Sequence, residues 1–176
     1  MDNVKMNDVI LLPLEEKDRE QFIKENQEAF RFGAMEEFGL RDDHFEEDGE
    51  IISRETIEKS IDNGMAFRII YGEDVAGGLV LQIDGAHGEL ELLFVSSQIH
   101  SKGVGYKAWR QVEKMFPEVK VWETCTPYFE KRNIHFYVNR CGFHIVEYFN
   151  QFHKDPNDDE KGDDFDGMFR FEKRME

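Results

Sequence analysis

Apolar residues along this chain follow two rhythms, and the switches between them mark out the elements. Val9 to Leu14 is an apolar run of strand length, after which Phe22, Ile23, Asn26 and Phe30 line one side of a helix that opens near Asp18. Ser53 offers an N-cap to a second helix carrying Ile57 and Ile61 and closed by Asn63-Gly64. Three strands follow at Ala66–Tyr71, Val75–Ile83 and Glu89–Val95. Short turn-rich links, Gly72-Glu73-Asp74 and Asp84-Gly85-Ala86-His87-Gly88, predict that they form an antiparallel meander. Val104, Ala108, Trp109, Val112, Met115 and Phe116 then return at helical spacing until Pro117 stops them. A strand at Val119–Cys125 precedes a further amphipathic helix marked by Ile134, Tyr137, Val138 and Cys141 and ended by Gly142. Strands at Phe143–Phe152 and Gly167–Met175 complete a pattern without internal repeats.

Composition narrows the class. With 176 residues, 40% hydrophobic and 13% aromatic, the chain can bury one sizeable core, and a single domain over residues 1–176 is expected. The formal net charge of -16 repels nucleic acid and anionic membranes and favours cationic partners. The N-terminal apolar run lies between acids and is too short for a signal or a membrane span. Cys125 and Cys141 have neither disulfide-framework nor zinc spacing, so a reducing cytoplasm fits and no metal centre is expected.

One stretch departs from the acidic background. From Val95 to Val112 there is no Asp or Glu, while Lys102, Lys107 and Arg110 are basic. Gly103 and Gly105 sit where a strand turns into a helix, so consecutive backbone N–H groups can face one oxyanion at the positive end of the helix. Neither a Walker A loop nor a three-glycine dinucleotide fingerprint is present. By themselves the glycines serve a tight bend as well as an anion cradle.

The pattern from Val95 through His100 to Gly103 and Gly105 resembles V-x-P-x-x-R/Q-x-x-G-x-G/A of the GNAT N-acetyltransferase superfamily, with His100 and Ser97 as departures. Asn133-Ile134-His135-Phe136-Tyr137-Val138-Asn139-Arg140-Cys141-Gly142-Phe143 resembles that superfamily's second block, N-x-x-A-x-x-F-Y-x-x-x-G-F. The resemblance implies an α/β GNAT fold, a mixed and mainly antiparallel sheet flanked by helices. It implies an acetyl-CoA-dependent N-acetyltransferase acting on a primary amine, small molecule or peptide, by direct attack in a ternary complex. The backbone at Phe94 and Val95 inherits the pantetheine arm. His100, Ser101, Lys102, Gly103, Val104 and Gly105 inherit the pyrophosphate with Tyr106 and Lys107 beside it, and Asn133 inherits an amide contact. Relatives that pair through their C-terminal strands make a homodimer compatible with the resemblance. A non-catalytic acyl-CoA-binding regulatory module on the same fold is the competing reading.

Tyr137 lies one helical turn after Asn133, and the resemblance makes its phenol the general acid for the leaving thiolate. The residue pattern alone equally allows a core aromatic beside Phe136 and Phe143, which with Trp109 read as core. Glu89 and Glu91 alternate on one strand, with Glu123 on the next. Glu89 matches the glutamate base of histone-acetylating members, and each of the three can also be a solvated strand-face acid. Asp155, Asn157 and Asp159 begin like a calcium loop, yet Glu160 stands where that loop needs Gly. The resemblance implies that this segment and the acids from Asp42 to Asp48 border the acceptor site, where they would select a cationic acceptor.

Overall fold

The computed structural model describes residues 8–38, 50–99, 103–156 and 167–176. Its elements follow local chemistry closely. Strand β1 is Val9–Pro13, and after one 3-10 turn helix α1 spans Arg19–Phe38. Ser53 holds extended backbone, and its Oγ accepts the Thr56 N–H at 3.1 Å, so one orphan donor of helix α2 (Arg54–Asn63) is satisfied by the predicted cap. Strands β2 (Met65–Tyr71), β3 (Asp74–Asp84) and β4 (His87–Val95) follow, then helix α3 (Val104–Met115) and strand β5 (Val121–Pro127). A single α turn, α4 (Lys131–His135), continues as a π-helical segment over Phe136–Arg140, and strands β6 (His144–Phe149) and β7 (Met168–Arg174) end the chain.

The strands form one seven-stranded sheet in the order β1-β2-β3-β4-β5-β7-β6. It is mostly antiparallel and flanked by helices, as expected, with β4 and β5 running parallel. Contacts divide the chain into two compact units. In the first, residues 1–82 with 90–116, Phe22 and Ile23 of α1 and Ile57 of α2 pack with Val80, Leu92 and Phe94. Fully burying each such side chain contributes about 1.5–3 kcal/mol. In the second, residues 83–89 with 117–176, Trp122, Phe143 and Phe171 are fully buried. Among the described residues no helix is long and apolar enough to cross a membrane.

At three places a departure from the sequence pattern has a local reason. Strand β5 begins at Val121 instead of Val119, because Lys120 and Val121 both donate to the Ala86 carbonyl, at 2.6 and 3.1 Å, and anchor the connector. Strand β6 stops at Phe149, because the Asn150 side chain accepts the N–H groups of Phe152 and His153 at 2.9 and 3.0 Å and turns the chain. The helix expected through Cys141 widens after His135. The Cys141 N–H reaches back to Phe136 O at 3.0 Å, one residue further than in an α-helix. Gly142, at φ +85°, then lets the Phe143 N–H bond Tyr137 O at 2.9 Å.

Candidate active site

In the first unit, the start of α3 is made of backbone. Gly103 caps the helix in the left-handed region, at φ +71° and ψ +19°, with no side-chain cap. A Cβ built there meets nothing within 4 Å, so conformation rather than space is what requires glycine. Lys107 N–H donates to Gly103 O at 3.1 Å, closing the first turn of the helix on its cap. Val104 is buried and anchors this terminus, Gly105 and Tyr106 are half-buried, and Lys107 is exposed with its Nζ 5.9 Å from the centroid of the Tyr71 ring. No acid stands in the first turn. His100, Ser101 and Lys102 lie outside the described residues. Phe94 packs its ring edge-on against Phe22, 5.0 Å between centroids, leaving only its backbone for any ligand, and Val95 is half-buried. The parallel ladder of β4 with β5 pairs His87, Gly88 and Glu89 with Val121, Trp122 and Glu123 and goes no further.

In the second unit, polar side chains do the work. Strand alternation sends Trp122, Thr124 and Thr126 to the buried face of β5, where the two threonines are 2% and 3% exposed. Thr126 Oγ1 accepts Asn133 Nδ2 at 3.2 Å, and the Thr124 hydroxyl is hydrogen-bonded to the Tyr137 phenol. The Tyr137 ring packs among Phe136, Phe143 and Phe171, at 5.4, 5.7 and 5.6 Å between centroids. Burial pushes this phenol well above the ordinary tyrosine range, and the bond with Thr124 pulls the other way. Tyr137 is therefore both a core aromatic and the bearer of a protonated, hydrogen-bonded hydroxyl. Phe136 is half-buried, and Phe143 and Trp109 are the core residues expected.

The three carboxylates separate by their surroundings. Glu89 is half-buried and in register with Glu123 across the parallel pair. Glu123 meets His87 Nε2 at 3.1 Å and Arg170 at 3.4 Å, and Arg170 also meets Glu147 at 2.8 Å and Glu172 at 3.3 Å. His153 first and Arg170 second hold the Glu147 carboxyl below its ordinary value. In the first unit, Glu91 accepts the Ser60 hydroxyl at 2.5 Å. Cys125, on β5, is pushed up to about 12 by burial first and then by Glu89, Glu123 and Asp155. Such a thiol is a poor nucleophile at neutral pH. The acids from Asp42 to Asp48, and Asn157, Asp159 and Glu160 of the calcium-like segment, lie outside the described residues.

The model of the acetyltransferase (GNAT) family matches residues 19–143, which takes in both the glycine turn and the block from Asn133 to Phe143. This chain belongs to the GNAT family. A Bacillus subtilis (strain 168) protein described as the uncharacterized protein YrkN is 40% identical over 178 residues, covering 95% of this chain and 94% of its own. Among solved GNAT-like folds, an acetyltransferase from Thermus thermophilus aligns with a TM-score of 0.67 at 14% identity, over 96% of this chain and 97% of that one. PaiA N-acetyltransferase from Thermoplasma acidophilum, solved in complex with coenzyme A, aligns with a TM-score of 0.66 at 17% identity, over 95% and 99%. At those identities the likeness is one of fold.

The residues of this GNAT chain fit the cosubstrate that the fold implies. A helix terminus with a left-handed glycine, an acid-free first turn and a lysine beside it is a donor set suited to a diphosphate. Sequence reading did not single out Thr124, Thr126, Ser60 or Arg170. The alternation Trp122-Glu123-Thr124-Cys125-Thr126 carried a signal for the threonines, because two polar residues share its buried face. Nothing local marked Ser60, whose partner Glu91 lies on β4, or Arg170, whose partners Glu123 and Glu147 lie on β5 and β6.

Proposed function

We propose that this protein is an N-acetyltransferase that moves the acetyl group of acetyl-CoA to a primary amine by direct attack in a ternary complex. The observation that carries this reading is the Tyr137 hydroxyl, sequestered, hydrogen-bonded and protonated at neutral pH. A module that only bound acyl-CoA would need the glycine turn without such a phenol. The backbone at Phe94 and Val95 takes the pantetheine arm. His100, Ser101, Lys102, Gly103, Val104, Gly105, Tyr106 and Lys107 take the pyrophosphate, and Asn133 takes a pantetheine amide. Acetyl-CoA supplies the activated thioester carbonyl.

Tyr137 donates its hydrogen toward the departing sulfur, a task that general acids serve with rate gains of about 10²–10⁴. An alkylammonium of pKa about 10.4 must first lose a proton, which at pH 7 costs about 4.6 kcal/mol. Glu89, half-buried on β4 and matched by the resemblance to the glutamate base of histone-acetylating members, is the base of choice. The raised Cys125 thiol argues against an acetyl-cysteine intermediate. Because Glu89, Glu123 and Asp155 outweigh Arg170 around that thiol, the local field favours a cationic acceptor, a small polyamine or a basic peptide.

The test is thiol release from acetyl-CoA across monoamines, polyamines, basic peptides and neutral amines, for the native chain, Tyr137→Phe and Glu89→Gln. Turnover with cationic amines, reduced at least tenfold in both variants, is expected. Binding of acetyl-CoA without turnover on any amine would favour the regulatory module, and equal rates on neutral amines would remove the cation preference.

A further inference from the structure

The two helix residues to which the fold family gives roles are gripped by one short strand. Asn133 and Tyr137 are four residues apart, a rise of about 6 Å along a helix. Thr124 and Thr126 are two apart on the buried face of β5, a rise of about 6.6 Å along a strand. The rungs match, so Thr126 holds Asn133 while Thr124 holds Tyr137. Both threonines are almost wholly buried, and β7 closes their other side with Phe171 and Phe169 in register.

The sense of the second bond follows from elementary accounting. A phenol has one hydrogen to give and lone pairs to receive, and a threonine hydroxyl has the same. Phe171, in register with Thr124 and 5.6 Å from the Tyr137 ring, keeps the two hydroxyl groups in one buried layer. A phenol that is to spend its single hydrogen on a departing sulfur must receive in that bond, and the threonine must give.

We propose that Thr124 is a positioning residue for Tyr137: its hydroxyl donates to the phenol oxygen, leaving the phenol's own hydrogen for the departing sulfur. This rests on the reading of Tyr137 as general acid. As the phenol O–H bond lengthens and an S–H bond forms, the oxygen gaining negative charge already has a donor in place. The phenol regains its proton through water from the nitrogen that attacked, so no proton is lost or created. Thr124 touches neither thioester nor amine and acts only through the phenol.

The experiment measures thiol release from acetyl-CoA with the best amine of the panel, or with water as the attacking group. Thr124→Val should lower kcat about tenfold and leave KM for acetyl-CoA within twofold, while Thr124→Ser should restore kcat to within twofold of native. In a Tyr137→Phe background, Thr124→Val should change kcat less than twofold, because there is no phenol left to orient. Loss of the same factor in that background would overturn the proposal, as would a Thr124→Val protein with native kcat. Should the valine variant not fold, Thr124→Ala carries the same comparison. A Tyr137→Phe protein with native kcat would instead sink the general-acid reading itself, a distinct outcome read before any threonine variant is made.

Discussion

The start of α3 and the β5–α4 pair carry parts of one expected chemistry by opposite means. At α3 the useful groups are backbone N–H donors at a positive helix end, and side chains matter mainly by being small or absent. At β5 the useful groups are side-chain hydroxyls, an amide and a thiol, and burial makes the phenol and the thiol hold their protons. On the proposed reading the first region receives negative charge, while in the second the phenol and the thiol keep their protons. Substitutions should therefore act through conformation in the first region and through single atoms in the second.

The sharpest contrast is in proton affinity. At pH 8, Cys125 in the folded chain should exchange with an aromatic disulfide at least about thirtyfold more slowly than in urea, read by mapping the labelled peptide. That factor allows for the greater nucleophilicity of a high-pKa thiolate. With its pKa raised from 9.0 to about 12, this thiol contributes stability that is fully present below about pH 9 and lost as pH rises toward 12. Fast labelling under native conditions would mean that the second region is not proton-retaining. Next comes Gly103→Ala, which forces a Cβ into the left-handed region at a cost of about 1–2 kcal/mol and should weaken acetyl-CoA binding about tenfold by calorimetry.

Asn133→Ala removes one neutral hydrogen bond, to Thr126, worth about 1 kcal/mol, and should raise KM for acetyl-CoA about fivefold. The smallest effect belongs to Lys107→Ala, about threefold on binding and vanishing at high salt, because this lysine is exposed. If Lys107→Ala proves more damaging than Gly103→Ala, the idea of a backbone-built first region fails.

What the sequence revealed follows the same division. The Ser53 cap, the strand-to-helix turn at Gly103 and the end of α3 before Pro117 were legible because each is decided within a few neighbouring residues. The mixed, mainly antiparallel sheet was legible only through the family resemblance, since strand pairing depends on contacts far apart in the chain. The widening after His135 was hidden because Ile134, Tyr137, Val138 and Cys141 fit an ordinary helical period as well. The grip of Thr124 on Tyr137 was hidden for a related reason: a strand shows its face in sequence, but not which helix returns to cover it. Arg170 was overlooked in an ordinary mixed-charge strand, where its register with Cys125 and Glu147 comes from pairing on both sides.

The π-helical segment makes residue count itself a structural quantity. The Cys141 N–H closes on the Phe136 carbonyl across one residue more than an α turn holds, so removing one residue between them would let the same two ends meet in an ordinary α turn and erase the widening. Exchanging the exposed Asn139 or Arg140 for another residue leaves the count, and so the widening, intact. At this place the chain is far more sensitive to length than to spelling.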